Sequence, residues 1–165
     1  MELYVVRHGI AIDRQDPKCP PDPERYLTDE GVEKTKGAAK GMAALGIAPG
    51  LFISSPYTRA LQTAEVFADA LDYSRQKIRR SELLLPGAEP TLLYRELARE
   101  RASSIFLFGH APQLDDVIAA ALGAKKRVTS LKKAGVALID LKRISPPMGQ
   151  LVWLAIPRML RRVGK

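Results

Sequence analysis

The chain is poor in the residues that staple or metallate a fold. It has one cysteine, Cys19, and two histidines in 165 residues. No internal disulfide can form, no cysteine cluster can hold a metal, and two imidazoles cannot fill a zinc site without carboxylate help. The expectation is a protein with no metal and no other cofactor. Long apolar stretches are missing too. Runs such as Leu138 to Leu141 and Leu151 to Ile156 fall far below the ~20 residues of a membrane span, and Met1-Glu2-Leu3 leads into a strand-like run instead of a basic leader. The reading is a cytoplasmic protein without a membrane partner. Acidic residues are outnumbered, 18 against 26 Lys and Arg, for a net charge of +8. Such an excess suits nucleic acid or an anionic substrate. Aromatics are only 6% of the chain, none is interleaved with the basic clusters so as to stack bases, and no recognition-helix motif is present, so no nucleic-acid partner is expected. The basic clusters Lys125-Lys126-Arg127, Lys132-Lys133 and Arg158, Arg161, Arg162, Lys165 lie outside the histidine motifs. They read as a solvated face, with weak steering of acidic partners as the alternative.

What is present is a well-patterned chain. With 46% apolar residues it can bury roughly two thirds of its unfolded surface around one core, so a single domain over residues 1–165 is expected. Strand-like runs alternate with helical patterns, the mark of βαβ units. Leu3 to Arg7 reads as the first strand, followed by a loop too rich in proline for regular structure (Asp16-Pro17, Pro20-Pro21-Asp22-Pro23). Thr28-Asp29-Glu30 supplies an N-cap and an acidic first turn for a helix to about Leu45. Leu51 to Ser54 is a second strand, and Pro56 fits an early position of the next helix, whose stripe is Leu61, Ala64, Ala68 and Leu71. Residues 77–85 suggest a third strand, 91–101 a helix, and Ser104 to Phe108 a buried strand. Pro112 opens a helix with Leu114, Val117, Ile118, Ala121 and Leu122 on one face. Val136 to Leu141 and Gln150 to Ile156 read as a hairpin that adds antiparallel pairing. The fold class that follows is α/β: a three-layer α/β/α arrangement, its sheet mostly parallel, with helices on both faces and an antiparallel C-terminal strand.

Each histidine stands where a core strand runs into a loop, His8 in Val5-Val6-Arg7-His8-Gly9 and His110 in Phe106-Leu107-Phe108-Gly109-His110. Ligands bind at such strand ends in open α/β sheets, and imidazole suits nucleophilic and acid/base work near neutral pH. The pair therefore marks a candidate active site.

Three segments in order carry a family resemblance: Arg7-His8-Gly9, Ser54-Ser55-Pro56-Tyr57-Thr58-Arg59-Ala60-Leu61-Gln62-Thr63-Ala64, and Gly109-His110. Leu27-Thr28 followed by Gly31 adds a Leu-Thr-x-x-Gly element. Together, over about residues 1–125, they resemble the histidine phosphatase superfamily, whose other well-known branch is phosphoglycerate mutase-like. The short chain is similar to its compact SixA group of phosphohistidine phosphatases. The resemblance implies a phosphoglycerate mutase-like fold and a metal-independent phosphatase acting on a phosphohistidine-bearing protein or a small phosphorylated substrate.

The residues support such chemistry on their own terms. Phosphoryl transfer needs an in-line nucleophile and positive charge around three oxygens. His8 is the candidate nucleophile, Arg7 and Arg59 the guanidinium clamps, and His110 a further cation once phosphate is bound. Gly9 lacks a Cβ, which would let its backbone N–H approach an anion. Ser54 and Ser55 either donate to phosphate or cap the helix at Pro56. Asp13, Arg14 and Lys18 sit in the loop after the nucleophile, within reach of substrate. Gln62 and Thr63 read as packing residues, and Asp115 and Asp116 as acids complementing a helix start. The structural alternatives are a strand-capping His8, surface-paired arginines and a core His110. Ester-cleaving members of the family resemble one another in having a carboxylate general acid after the second motif, and here only Glu82 and Glu89 are candidates. Neither sits in a recognisable signature. An alkoxide, whose conjugate acid has a pKa near ~15.7, needs that proton, whereas imidazole at ~6.5 can depart neutral. A phosphoramidate substrate therefore fits a site without a general acid, and ester cleavage with Glu82 or Glu89 as acid is the second reading. A binding module for phosphopeptides or polyanions, without turnover, is the third.

Overall fold

A computed structural model describes residues 1–165. Six strands form one sheet in the order β3-β2-β4-β1-β5-β6: β1 Glu2–Arg7, β2 Leu51–Ser54, β3 Arg79–Arg80, β4 Ser104–Gly109, β5 Val136–Arg143 and β6 Met148–Ala155. The first four run parallel, β5 is antiparallel to β1, and β6 is antiparallel to β5. The helices are α1 Asp29–Ala44, α2 Thr58–Ala70, α3 Pro90–Leu97, α4 Gln113–Ala121 and α5 Pro157–Val163.

Period-two alternation explains the three layers. Leu3, Val5, Ile53, Ile105, Leu107, Ala137 and Ile139 face a core completed by α3 and α4. Their strand neighbours Tyr4, Val6, Phe52, Phe106, Phe108, Val136 and Leu138 face a second core with α1, α2 and α5. Both faces of the central strands are covered, which is why these strands read as unbroken apolar runs. At the head of α1, Thr28 Oγ1 accepts from Gly31 N at 3.0 Å, the N-cap its sequence position promises. No helix is long and apolar enough to cross a membrane.

Three local expectations change. The strand expected over 77–85 shrinks to Arg79–Arg80, because Ser81 Oγ accepts from Leu83 N and starts a 3-10 turn over Glu82–Leu84. Pro56 lies just ahead of α2, whose N-cap is Tyr57. The basic tail is a helix, α5, docked on α1 at two glycines. A Cβ at Gly41 would stand 2.1 Å from Leu160 O, and one at Gly37 would stand 2.5 Å from the Arg161 side chain.

Candidate active site

Strand register brings the distant motifs together. In the β1–β4 pairing Arg7 lies opposite Gly109, and His8 N donates to Gly109 O at 3.0 Å, so His8 and His110 are the next residues on two neighbouring strands. Ser54 pairs with Phe108, and Ser55 N donates to Phe108 O at 2.8 Å, which places Ser55 at the third strand end. From here β1 leads toward α1 on one face and β4 into α4 on the other. This divergence opens the crevice in which α/β sheets hold ligands.

The two imidazoles lie 5.1 Å apart, centroid to centroid. His8 Nδ1 is 2.6 Å from Gly9 O, and Arg59 Nε is 3.4 Å from His8 Nε2. A carbonyl can only accept and a guanidinium N–H can only donate. The ring must therefore carry its proton on Nδ1 and keep a lone pair on Nε2. Electrostatics agree: burial, assisted by the charges of Arg59, Arg7 and Lys133, pushes the His8 pKa down to about 3 despite the Gly9 hydrogen bond. His110 is also pushed down to about 3, by burial first and then by His8, Arg59 and Arg7. Its Nε2 lies 2.9 Å from Ser55 Oγ, which accepts from Tyr57 N at 3.3 Å. Ser55 thus serves the turn and the histidine at once. Tyr57 packs edge-on to His110 at 5.3 Å.

Arg7 Nη1 donates to Leu131 O at 2.8 Å. Asp115 holds that carbonyl in place, accepting from Leu131 N at 2.9 Å and from Thr129 Oγ1 at 2.7 Å, and its charge favours the Arg7 cation. Arg7 Nε and His110 Nδ1 are buried with no protein partner. Arg7 Nε is a donor that an oxyanion can satisfy, and His110 Nδ1 becomes one when it bears a proton, since a buried donor left unpaired is costly. Arg59 is 3% exposed and reaches the proline-rich loop, donating to Asp22 O at 2.6 Å and to Asp22 Oδ2 at 3.3 Å.

Arg7, His8, Ser55, Arg59 and His110 are thus gathered at one place. Gly9 does a different job from the one expected: its N–H donates to Thr63 Oγ1 at 3.0 Å, and a Cβ there would stand 2.4 Å from Thr35 Oγ1. The glycine lets α1 approach, and its N–H is committed to α2. Glu82 is exposed at the head of its 3-10 turn and its carboxylate makes no hydrogen bond or ion pair, and Glu89 is exposed with Thr91 Oγ1 on its carboxylate. In the loop, Arg14 pairs with Asp22, and Asp13 and Asp16 accept from backbone N–H groups of the loop itself. Ser54 Oγ turns to Ser55 O. Thr63 and Gln62 do more than pack, since Gln62 Oε1 accepts from Leu27 N at 2.7 Å. Asp115 faces Leu131 and not its helix start.

Asp22, Thr63, Asp115 and the Leu131 carbonyl are the site residues that sequence reasoning missed. Each acts through a partner distant in sequence, so no local pattern marks it. Lys132, Lys133, Arg158 and Arg161, read as a face apart from the site, line a cavity together with Arg7.

Comparison with known proteins identifies the family and the fold. Residues 3–84 match the family described as "Histidine phosphatase superfamily (branch 1)". An uncharacterized protein of Picosynechococcus sp. is 36% identical over 140 residues, 82% of each chain. The mitochondrial serine/threonine-protein phosphatase Pgam5 of Drosophila persimilis is 31% identical over 86 residues, 52% of this chain but only 28% of that protein. Among solved structures, the protein histidine phosphatase SixA complexed with tungstate superposes with a TM-score of 0.85 at 22% identity, covering 97% of this chain and 99% of that one. The putative phosphohistidine phosphatase SixA from Agrobacterium tumefaciens gives 0.77 at 22% identity, covering 94% and 97%. With its paired histidines at neighbouring strand ends and its three motifs in family order, the chain belongs to branch 1 of the histidine phosphatase superfamily and is a phosphatase of that class.

Proposed function

We propose that this phosphatase hydrolyses the N–P bond of phosphohistidine through a covalent phosphohistidine on His8. The observation that carries the reading is the His8 tautomer, with Nδ1–H on Gly9 O and a lone pair at Nε2. A neutral imidazole attacks without first losing a proton. As the Nε2–P bond forms, the ring gains positive charge, and Gly9 O stabilises it through Nδ1–H. Arg7, Arg59 and His110 then meet the phosphoryl oxygens. The leaving imidazole departs neutral, its distal nitrogen already protonated. Water attacks the phosphoenzyme, releases phosphate and restores His8.

The acid side of the site favours N–P over ester cleavage. Burial alone would raise the pKa of Asp22, but hydrogen bonds from Arg25 and Arg59 and the nearby Arg14 bring it below the ordinary carboxylate value. A carboxylate held ionised by three arginines cannot hand a proton to an alkoxide. A phosphohistidine displayed on another protein is the substrate that asks least of such a site. Ester hydrolysis would need Glu82, whose carboxylate has no partner, or Glu89, whose carboxylate accepts from Thr91 Oγ1.

The test offers a phosphohistidine substrate and an alkyl phosphate in parallel, with and without chelator, while an acid-labile phosphoenzyme is trapped. Preference for the N–P substrate is expected, with the trapped species lost in His8→Ala and no effect of chelator. Glu82→Gln and Glu89→Gln should leave N–P hydrolysis intact. A trapped phosphate that survives acid, or strict dependence on a metal, would discard the mechanism.

A further inference from the structure

A cavity of about 520 Å³ has Arg7, the chain neighbour of His8, in its wall, and its remaining cations are Lys34, Lys132, Lys133, Arg158 and Arg161. No carboxylate lines it. Several cations elsewhere on the surface are paired, among them Arg75 with Asp69, Arg79 with Glu96 and Glu100, Arg127 with Asp116, and Lys142 with Asp140. The cavity containing Lys125, Lys126 and Arg127 also holds Glu89 and Asp116. In the wall beside Arg7 only Lys34 has an acid partner, Glu30, while Lys132, Lys133, Arg158 and Arg161 have none. Like charges gathered in one concavity repel one another, and an anion bound there relieves that repulsion.

The backbone segments that carry these cations are anchored. Ala134 N lies 3.0 Å from Arg7 O and 3.1 Å from His8 O, so the segment bearing Lys132 and Lys133 is fastened to the end of β1. The nearby Lys133 is one of the charges lowering the His8 pKa. Arg158 and Arg161 ride on α5, which is seated against Gly37 and Gly41.

We propose that this cavity holds the continuing phosphates of a linear condensed phosphate whose terminal phosphoryl group enters the histidine pocket, so that the same centre also cleaves phosphoanhydride bonds. The proposal rests on the His8 chemistry above and extends it to a second leaving group. His8 Nε2 bonds to the terminal phosphorus, and the bond from that phosphorus to the bridging oxygen breaks. The shortened chain leaves as an oxyanion, its electron pair on that oxygen. Water then attacks the phosphohistidine, giving inorganic phosphate, neutral His8 and a proton to solvent. The sum is one water consumed and the chain shortened by one phosphate. The leaving phosphate resembles a phosphoryl group with a second pKa near ~6. Like imidazole, it departs without a general acid, the feature this site lacks. A condensed phosphate packs its charge densely enough to meet several ammonium and guanidinium groups within a cavity of small-molecule size. An acidic protein surface calls for a broader, flatter contact.

The decisive assay measures phosphate released from tripolyphosphate and from longer linear polyphosphate, beside phosphohistidine, in the wild-type protein and in Lys132→Gln/Arg158→Gln. Both altered side chains are exposed. Expected are turnover of the condensed phosphates, a KM for them raised about tenfold in the double variant by loss of two charge-assisted contacts, and an unchanged rate with phosphohistidine. Phosphohistidine turnover with no phosphate released from either polymer, even if the polymers inhibit, would overturn the inference and leave the proposed function standing. Failure on every substrate would remove both. A double variant impaired only toward a phosphohistidine peptide flanked by acidic residues would give the cavity to acidic protein segments and also overturn it.

Discussion

Protonating His8 would add a positive charge to a buried site already holding Arg7 and Arg59, and burial with those charges keeps the ring neutral down to about pH 3. With two histidines in the chain, the consequence can be read directly by NMR. Neither imidazole should titrate between pH 8 and 5 in the free protein, and a bound phosphate dianion should bring His110 up into that window by replacing repulsion with attraction. A free-protein His8 titrating near its ordinary value of 6.5 would contradict the arrangement. Asp22 holds the Arg59 guanidinium, which the proposed mechanism turns to phosphate, so Asp22→Asn should tighten inhibition by inorganic phosphate. An ion pair of this partly exposed kind contributes ~0.5–1 kcal/mol, or ~2–5-fold in affinity, measurable as an inhibition constant. Thr63 has two partners, accepting from Gly9 N and donating to Arg59 O at 2.7 Å. Thr63→Val strands the Gly9 N–H, and chemical denaturation should show a loss of about 1–3 kcal/mol together with slower turnover.

Secondary-structure elements set the site through their ends. Register at the ends of β1, β2 and β4 delivers His8, Ser55 and His110, so a shift of one residue in any strand would swap its site residue for a core residue. The segment from Leu131 to Gly135 is a second positioning device: it is pinned by Asp115 at one end, by Ala134 N on the end of β1 at the other, and supplies the carbonyl that Arg7 meets. The docking of α5 on α1 depends on a missing side chain. Gly41→Ala places a methyl 2.1 Å from Leu160 O, and backbone cannot yield as a flexible side chain would. Overpacking of this kind costs ~1–3 kcal/mol. Hydrogen exchange should show α5 losing protection in that variant, while the sheet and the histidine pair persist.

Across the whole molecule, the depressed histidines couple stability to pH. Both refuse protons in the folded state until about pH 3, whereas the unfolded chain accepts them from about 6.5 downward. The unfolded state then binds more protons, so their contribution is present above about 6.5 and is lost as pH falls toward 3. Denaturation midpoints measured over that range should fall less steeply in His8→Gln and His110→Gln than in the wild type. Much of this architecture was legible in the chain itself. The alternating strand and helix patterns contain the α/β layers, because burying both sheet faces demands apolar residues at every central position. Arg7, His8, Arg59 and His110 announce themselves through their neighbours at strand ends and in a helix's first turn. The end of the third strand was not legible, since Ser81 turns the chain through a hydrogen bond no apolar pattern records. Nor was α5, whose seat is two glycines on another helix. The sequence alone determined which side chains have the chemistry proposed for phosphoryl transfer, because that depends on residue type and local position. Only the tertiary structure decided that Gly9 serves Thr63, that Asp22 holds Arg59, and that the scattered lysines and arginines share a wall with Arg7, because each follows from contacts between segments the chain keeps far apart.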